Sequence, residues 1–254
     1  MSLAKPQVPR VLIVKLSSLG DVVHAMAAVQ DIRRAYPTAQ IDWLVERAFA
    51  PLVARCEGVQ HVIPCELRRW RKSIFSAQTR REWSAFKADL QARTYDAVID
   101  LQGLTKSALL SWLAHTKAGG LRYSMANQTE GSSFEAPARW LADVAIPLEP
   151  HVHAVARARL VCAEALGYAV EGEPRFGLHA GALAVAQPKG RGPHKLLANP
   201  GAAANPFAPR KPVVVLVHGT SRKDKEWPLE SWIALGQRLN HSGFCVALAH
   251  GSDA

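Results

Sequence analysis

Short continuous apolar runs alternate with stretches whose apolar positions lie three or four apart through the first 170 residues. Val11 to Val14, Ile41 to Val45, Val59 to Ile63 and Ala97 to Leu101 are strand-sized and rich in β-branched residues, so they predict buried strands. Between the first two, Val22, Met26, Val29 and Ile32 recur at helical spacing until Pro37 stops the pattern. A second helix is expected around Asp89 to Gln91, leading into Tyr95, Asp96 and the run from Ala97 to Ile99. A third is expected over Leu104 to Ala114, and a fourth over His153 to Leu166, closed by Gly167. Strand, helix, strand in repetition predicts an α/β domain built on a parallel sheet.

The rhythm then breaks. From Ala180 to Pro209, 18 of 30 residues are Ala, Gly or Pro and none is acidic, which predicts a flexible linker or inserted loop. It restarts with Val213 to Val217, a polar turn, a helix around Leu229 to Leu239 and a strand from Phe244 to Ala249. The expected organisation is a domain over 1–177, a linker or insertion over 178–211, and the start of a second domain over 212–254. Two strands and one helix are too few to close a sheet, so the second domain reads as truncated.

At 254 residues, with 48% hydrophobic and 20% charged positions, the composition is globular and excludes a disordered or fibrous chain. No apolar run approaches the ~18 residues of a spanning helix. Val11 to Val14, ahead of Lys15, is too short for a signal peptide, so a cytoplasmic protein is expected. Cys56, Cys65, Cys162 and Cys245 are scattered without a C-x-x-C pair, which suggests neither a structural zinc site nor a disulfide framework. A net charge of +10 asks for a polyanionic partner. Nucleic acid, an anionic membrane face and a phosphorylated substrate all satisfy it.

The richest local signal is V-L-I-V-K-L-S-S-L-G-D-V-V-H, Val11 to His24. It places Asp21 near the first turn of a helix at the carboxyl end of the sheet, where open α/β folds bind ligands. Two readings stand there: a helix N-cap, for which Asp is well suited, or a general base with Lys15 nearby to meet a phosphate or carboxylate. The turn is neither a dinucleotide fingerprint nor a Walker loop. Leu67 to Arg81 holds six basic residues (Arg68, Arg69, Arg71, Lys72, Arg80, Arg81) and no acid, interleaved with Trp70, Ile74 and Phe75. That mixture suits anionic headgroups with apolar chains, and equally single-stranded nucleic acid. Asp100 to Ser107 ends a strand and enters a helix with Gln102, Lys106 and Ser107, where an anion could meet helix N-terminal amides. His218 to Pro228 repeats the arrangement with Thr220, Ser221 and Lys225, as a diphosphate site would. His151 and His153 have a spacing that can bind metal on a strand, but no third ligand accompanies them.

Together S-S-L-G-D-V-V-H, I-D-W-L-V-E, R-R-W-R-K, Y-D-A-V-I-D-L-Q-G-L-T-K-S-A, H-A-V-A-R and H-G-T-S-R-K-D-K-E-W-P resemble the lipopolysaccharide heptosyltransferases. The likeness is strongest to the type I enzymes of this GT-B glycosyltransferase family, and it spans most of Val11 to Ala249 in order. It implies two Rossmann-like domains facing a cleft, the first for the acceptor and the second for the nucleotide sugar. It further implies metal-independent, inverting transfer of L-glycero-D-manno-heptose from ADP-heptose to the first Kdo of Kdo2-lipid A, without a cofactor. Asp21 matches the family's proposed general base. Arg68, Arg69, Arg71 and Lys72 match the basic segment near the anionic acceptor, and Thr220, Ser221 and Lys225 match positions near the donor diphosphate. Ser18, Gly20, His24, Gln102 and Lys106 fall in matching motifs and are assigned to the acceptor side of the cleft. The family's D-T-G-L-S-H-type turn has no counterpart before Ala254, so poor binding of ADP-heptose and slow turnover, or none at all, are expected of the chain as given. A Gram-negative source and attachment to the cytoplasmic face of the inner membrane are implied, with no nucleic-acid partner. A later-core heptosyltransferase and a non-catalytic binder of anionic membrane or nucleic acid are the competing expectations.

Overall fold

The computed structural model describes residues 9–179, 212–217, 219 and 225–248. The chain divides into two compact units, 1–185 and 186–254. Apart from Leu178 and His179, the linker expected over 178–211 lies outside the described residues.

In the first unit the apolar runs become the centre of a six-stranded sheet. The strands β1 (Arg10–Val14), β2 (Gln40–Glu46), β3 (Val59–Cys65), β4 (Thr94–Asp100), β5 (His115–Met125) and β6 (Val144–Ile146) lie in the order β3-β2-β1-β4-β5-β6. All five pairings are parallel. Val11 to Val14 are completely buried, and successive residues feed opposite layers. Val11 and Ile13 join a core with Val22, Met26, Val29, Trp43 and Val161, whereas Leu12 and Val14 join Leu44, Ile63, Phe86, Leu90 and Leu110 on the other face. Helices therefore cover both sides, as a parallel sheet requires.

The helices are α1 (Leu19–Ala35), α2 (Ala50–Val53), α3 (Leu67–Trp70), α4 (Ala77–Gln91), α5 (Thr105–Leu113), α6 (Pro137–Trp140) and α7 (Ala154–Leu166). Gly167, in the left-handed region at φ 73°, ends α7 as its sequence position predicts. A buried ion pair joins α1 to α7: Arg159 donates from Nε to Asp31 Oδ2 at 2.6 Å and from Nη2 to Oδ1 at 3.2 Å. Tyr36 Oη adds a bond to the Leu166 carbonyl at 2.6 Å. The α/β reading holds, and the structure adds β5 and β6, which the sequence pattern did not mark.

The second unit, among the described residues, is one βαβ turn: β7 (Val213–Leu216), α8 (Leu229–His241) and β8 (Cys245–Leu248), with β7 and β8 parallel. Among the described residues no helix is long and apolar enough to cross a membrane.

Candidate active site

After β1 the chain turns one way, to β2, and after β4 it turns the other way, to β5. The carboxyl ends of these two adjacent central strands form the switch point at which open parallel sheets bind ligands. Asp21 follows β1 and Gln102 follows β4, so the two most informative motifs meet there.

Asp21 is the third residue of α1, and Ser18 is the N-cap. The capping reading of Asp21 holds in a shifted form: it is not the N-cap itself but the N3 member of a capping box, its carboxylate accepting from Ser18 N at 3.0 Å and Ser18 Oγ at 2.8 Å. A small pocket beside it is lined by Lys15, His24, Leu101, Met125 and Arg157. Half-burial opposes ionisation of Asp21, but the charge of Lys15, the Ser18 bonds and the charge of Arg157 outweigh it and hold the carboxyl below its usual range. Lys15 is buried and donates to the Leu101 carbonyl at 3.0 Å; burial pulls its ammonium below the usual lysine range. Arg157 is also buried, tethered through Nη1 to Thr129 Oγ1 at 2.7 Å and the Glu130 carbonyl at 3.2 Å. His24 faces His153 across 6.1 Å, and its Nδ1 is buried with no hydrogen-bond partner among the described residues. Gly20 is exposed, and a side chain there would meet open space. The arrangement is an ionised carboxylate at a ligand-binding edge with two buried cations behind it, suited to accept a proton from a hydroxyl.

The β4–α5 loop supports this turn more than it offers a binding loop. Gln102 is buried, and its Oε1 accepts from both Leu16 N and Ser17 N at 3.1 Å, so this side chain latches the end of β1 and its carbonyl is not free for an acceptor. Asp100 is fully buried and accepts from Gln102 N at 2.8 Å and Ser107 Oγ at 2.9 Å. Burial lifts its carboxyl to about 6 against those bonds. The anion site expected at the start of α5 is corrected too: Thr105 N is held by Glu135 Oε2 at 2.8 Å, and the buried Ser107 is turned inward. Lys106 remains half-exposed at this edge, within electrostatic reach of Glu46.

The basic segment forms α3 and the turn into α4. Arg68, Arg71, Lys72, Arg80 and Arg81 are exposed. Arg68 lies against Glu46 at the carboxyl end of β2, which joins the segment to the same sheet edge as Lys106. Arg69 is a correction: it is ion-paired to both Glu66 and Glu82, so it offers no free charge to an acceptor. Glu82 also accepts from Trp70 Nε1 at 2.9 Å, and these bonds hold its carboxyl down at about 2. Trp70 is buried within an aromatic cluster, 5.6 Å from Trp83 and 5.4 Å from Phe86, and is not a surface aromatic for a nucleic-acid base.

Lys225 is exposed, and Thr220 and Ser221 lie outside the described residues. His151 pairs with Glu130 at 3.2 Å, and His153 caps α7 by accepting from Val155 N at 3.3 Å, so the two histidines do separate structural work. Among the described residues no cluster of His, Cys, Asp or Glu suited to a metal ion is present. In the sequence Arg157 stands out only within H-A-V-A-R; its place beside Asp21 comes from the packing of α7 on α1.

The family model described as glycosyltransferase family 9 (heptosyltransferase) matches residues 83–254. Lipopolysaccharide heptosyltransferase 1 of Escherichia coli O18:K1:H7 is 39% identical over 244 residues, which is 96% of this chain and 67% of that protein. The solved E. coli heptosyltransferase WaaC with ADP superposes with a TM-score of 0.74 at 37% identity, covering 96% of this chain and 68% of that one. The same enzyme with ADP-2-deoxy-2-fluoro heptose gives 0.73 at 38% identity, over 96% and 69%. With the motifs, the fold and these likenesses in agreement, the chain belongs to glycosyltransferase family 9, the heptosyltransferases.

Proposed function

We propose that this transferase of lipopolysaccharide assembly moves a heptose from ADP-heptose to the first Kdo of Kdo2-lipid A, with inversion at the anomeric carbon and without a metal ion. The observation that carries the reading is Asp21: an ionised carboxylate, oriented by Ser18 and backed by Lys15 and Arg157, at the switch point of the sheet. The acceptor hydroxyl oxygen bonds to the anomeric carbon while its proton passes to the Asp21 carboxylate. The bond from that carbon to the diphosphate breaks on the opposite face, and its electron pair leaves with ADP. Such a base contributes about 10²- to 10⁴-fold in rate. Relatives solved with ADP and with an ADP-heptose analogue support a nucleotide-sugar donor. Lys225, with Thr220 and Ser221, is assigned to the departing diphosphate, where a cation offsets the charge that develops without a metal. Arg68, Arg71, Lys72 and Lys106 are assigned to the acceptor's phosphates and carboxylates. An acceptor of this kind resides in the inner membrane, so peripheral attachment to its cytoplasmic face follows.

The test is incubation with ADP-heptose and Kdo2-lipid A, with lipid mass read by mass spectrometry beside an Asp21→Asn variant and an EDTA arm. The expected outcome is a gain of one heptose, unchanged by EDTA and slowed at least 10²-fold in the variant. A gain only on an acceptor that already carries heptose would move the enzyme to a later step of core assembly. Salt-steep binding to any nucleic acid without transfer would mark a polyanion binder instead.

A further inference from the structure

The ladder between β1 and β4 closes on the pair Val14 and Asp100, so the backbone N–H groups of Leu16 and Ser17 run on past the last strand pair. Both residues are buried, and a buried N–H without an acceptor is costly. The Gln102 side chain takes the place of the missing strand: its single Oε1 accepts from Leu16 N and from Ser17 N, each at 3.1 Å. Two donors demand an oxygen, which fixes the orientation of the amide. On the other side the same segment is held by β2. The Leu16 carbonyl accepts from Glu46 N at 3.1 Å and the Lys15 carbonyl from Trp43 Nε1 at 3.1 Å. The turn that leads to Asp21 is thus pinned by a strand on one flank and by one side chain on the other.

Gln102 is itself braced. Asp100 Oδ1 accepts from Gln102 N at 2.8 Å and from Gly103 N at 3.3 Å, while Asp100 Oδ2 accepts from Ser107 Oγ at 2.9 Å. Gly103 lies at φ 70°, and a Cβ there would stand 2.5 Å from Met125 Cε, so the loop turns away after Gln102 only because this residue lacks a side chain. Beyond Ser17 comes Ser18, whose N–H and hydroxyl hold the Asp21 carboxylate at 3.0 and 2.8 Å. An unbroken series of bonds therefore runs from Ser107 through Asp100, Gln102 and the backbone of residues 16–18 to Asp21. The same loop holds the nearer cation, since Lys15 Nζ donates to the carbonyl of Leu101 at 3.0 Å. Resting on the reading of Asp21 as the base, we infer that Gln102 is its positioning residue, which acts through the turn to aim the Ser18 donors at the carboxylate that receives the proton. A misplacement of reacting groups by about 1 Å can cost 10²-fold in rate, so loss of this aim reads out in turnover.

The experiment compares Gln102→Met, of similar length without the acceptor oxygen, with Gln102→Glu, which keeps it, in the 254-residue chain. Titration of the Asp21 carboxyl is followed by carbon-13 NMR, and hydrogen exchange at Leu16 and Ser17 reads the latch itself. In the wild type these two amides are expected to exchange more slowly than those of the exposed Leu19 and Gly20. In Gln102→Met they should exchange faster, and Asp21 should titrate at higher pH as the Ser18 bonds and the Lys15 charge lose their alignment. Its kcat for heptosyl transfer should fall about 10²-fold with the KM for ADP-heptose within about twofold, and Gln102→Glu should return kcat to within about tenfold of wild type. A loss of stability alone lowers the amount of folded protein and leaves the Asp21 titration in place. An unmoved titration in folded Gln102→Met, or a Gln102→Glu variant as slow as Gln102→Met, overturns the inference. Should Gln102→Met not fold, wild-type Leu16 and Ser17 amides that exchange as fast as Leu19 and Gly20 overturn it, and a folded Gln102→Glu with slow amides and near wild-type kcat upholds it. A moved titration with undiminished kcat upholds the positioning and overturns Asp21 as the base. Absence of transfer by the wild type counts against the heptosyl-transfer reading alone, and the titration still decides the role of Gln102.

Discussion

Replacing Arg159 by Met removes the partner of a carboxylate that has almost no access to water. The Asp31 side chain is 3% exposed, and Arg159 supplies two of its bonds, at 2.6 and 3.2 Å. What remains is Arg34 Nη1 at 3.2 Å, on a side chain 43% exposed and correspondingly screened. Breaking a buried pair from one side costs about 3–5 kcal/mol, chiefly through the charge left behind. At roughly 2–4 °C per kcal/mol for a unit of this size, the melting temperature should fall by about 6–20 °C. Thermal unfolding followed by circular dichroism at neutral pH reads this directly. The double variant Asp31→Leu with Arg159→Met should recover most of the loss, because an apolar pair of similar volume avoids desolvating two ions. A single-variant loss below about 1 kcal/mol would refute the picture of a buried charge in need of a partner. A double variant as unstable as the single would also refute it, and would place the weight on the Arg159 bonds to the Glu171 and Gly172 carbonyls at 2.9 and 3.0 Å.

With Asp21 as the base and its carboxyl held low, kcat/KM should stay level from pH 8 to about 5, its acid limb falling below the ordinary aspartate value near 3.9. Arg157→Met, read in the same pH series, should move that limb upward, and an unmoved limb or a wild-type limb near pH 6 would contradict the assignment. Asp100 carries the opposite sign: its folded value of about 6 lies above the unfolded one, so its favourable contribution is present below pH ~4 and lost as pH rises through 6. Asp100→Asn should therefore gain up to ~3 kcal/mol on wild type between pH 4 and 7.5, measured as the difference in unfolding free energy. Arg69→Ala should leave acceptor affinity within about twofold, since Arg69 is tied to Glu66 and Glu82, whereas Arg71→Ala should weaken binding and flatten its salt dependence. Titration calorimetry at two ionic strengths separates the two arginines.

The central strands and α1 were legible because four consecutive apolar residues and a period of three to four admit few alternatives. The outer part of the sheet was not. β5 reads H-T-K-A-G-G-L-R-Y-S-M, two glycines among polar residues, and becomes a strand by pairing with β4 across a register shift at Tyr95 and Ala97. β6 is only three residues long. In the basic segment, the acid-free window from Leu67 to Arg81 stopped one residue short at each end, since Glu66 and Glu82 are the acids that claim Arg69. Asp21 and Lys15 are legible from their places around a buried strand, but Arg157, the second cation that lowers the Asp21 carboxyl, is not. Lys15 is near in sequence, whereas Arg157 arrives from α7, and no local pattern announces that meeting. Gln102 was assigned outward from its position in a loop, and only the tertiary structure shows its carbonyl facing back to β1.

The clasp between Asp31 and Arg159 joins positions 128 residues apart. During synthesis the N-terminal end emerges first, so β1 and α1 exist as chain long before α7 can reach them. Until Arg159 has left the ribosome, Asp31 has no apolar niche to be paired in, and the turn bearing Asp21 lacks Arg157 behind it. Assembly of the edge that carries Asp21 is therefore a late event in the life of the nascent polypeptide. A polypeptide halted in β5 would present the S-S-L-G-D signature in full, yet lack both Arg157 beside Asp21 and the partner of Asp31, and be a ready target for proteases.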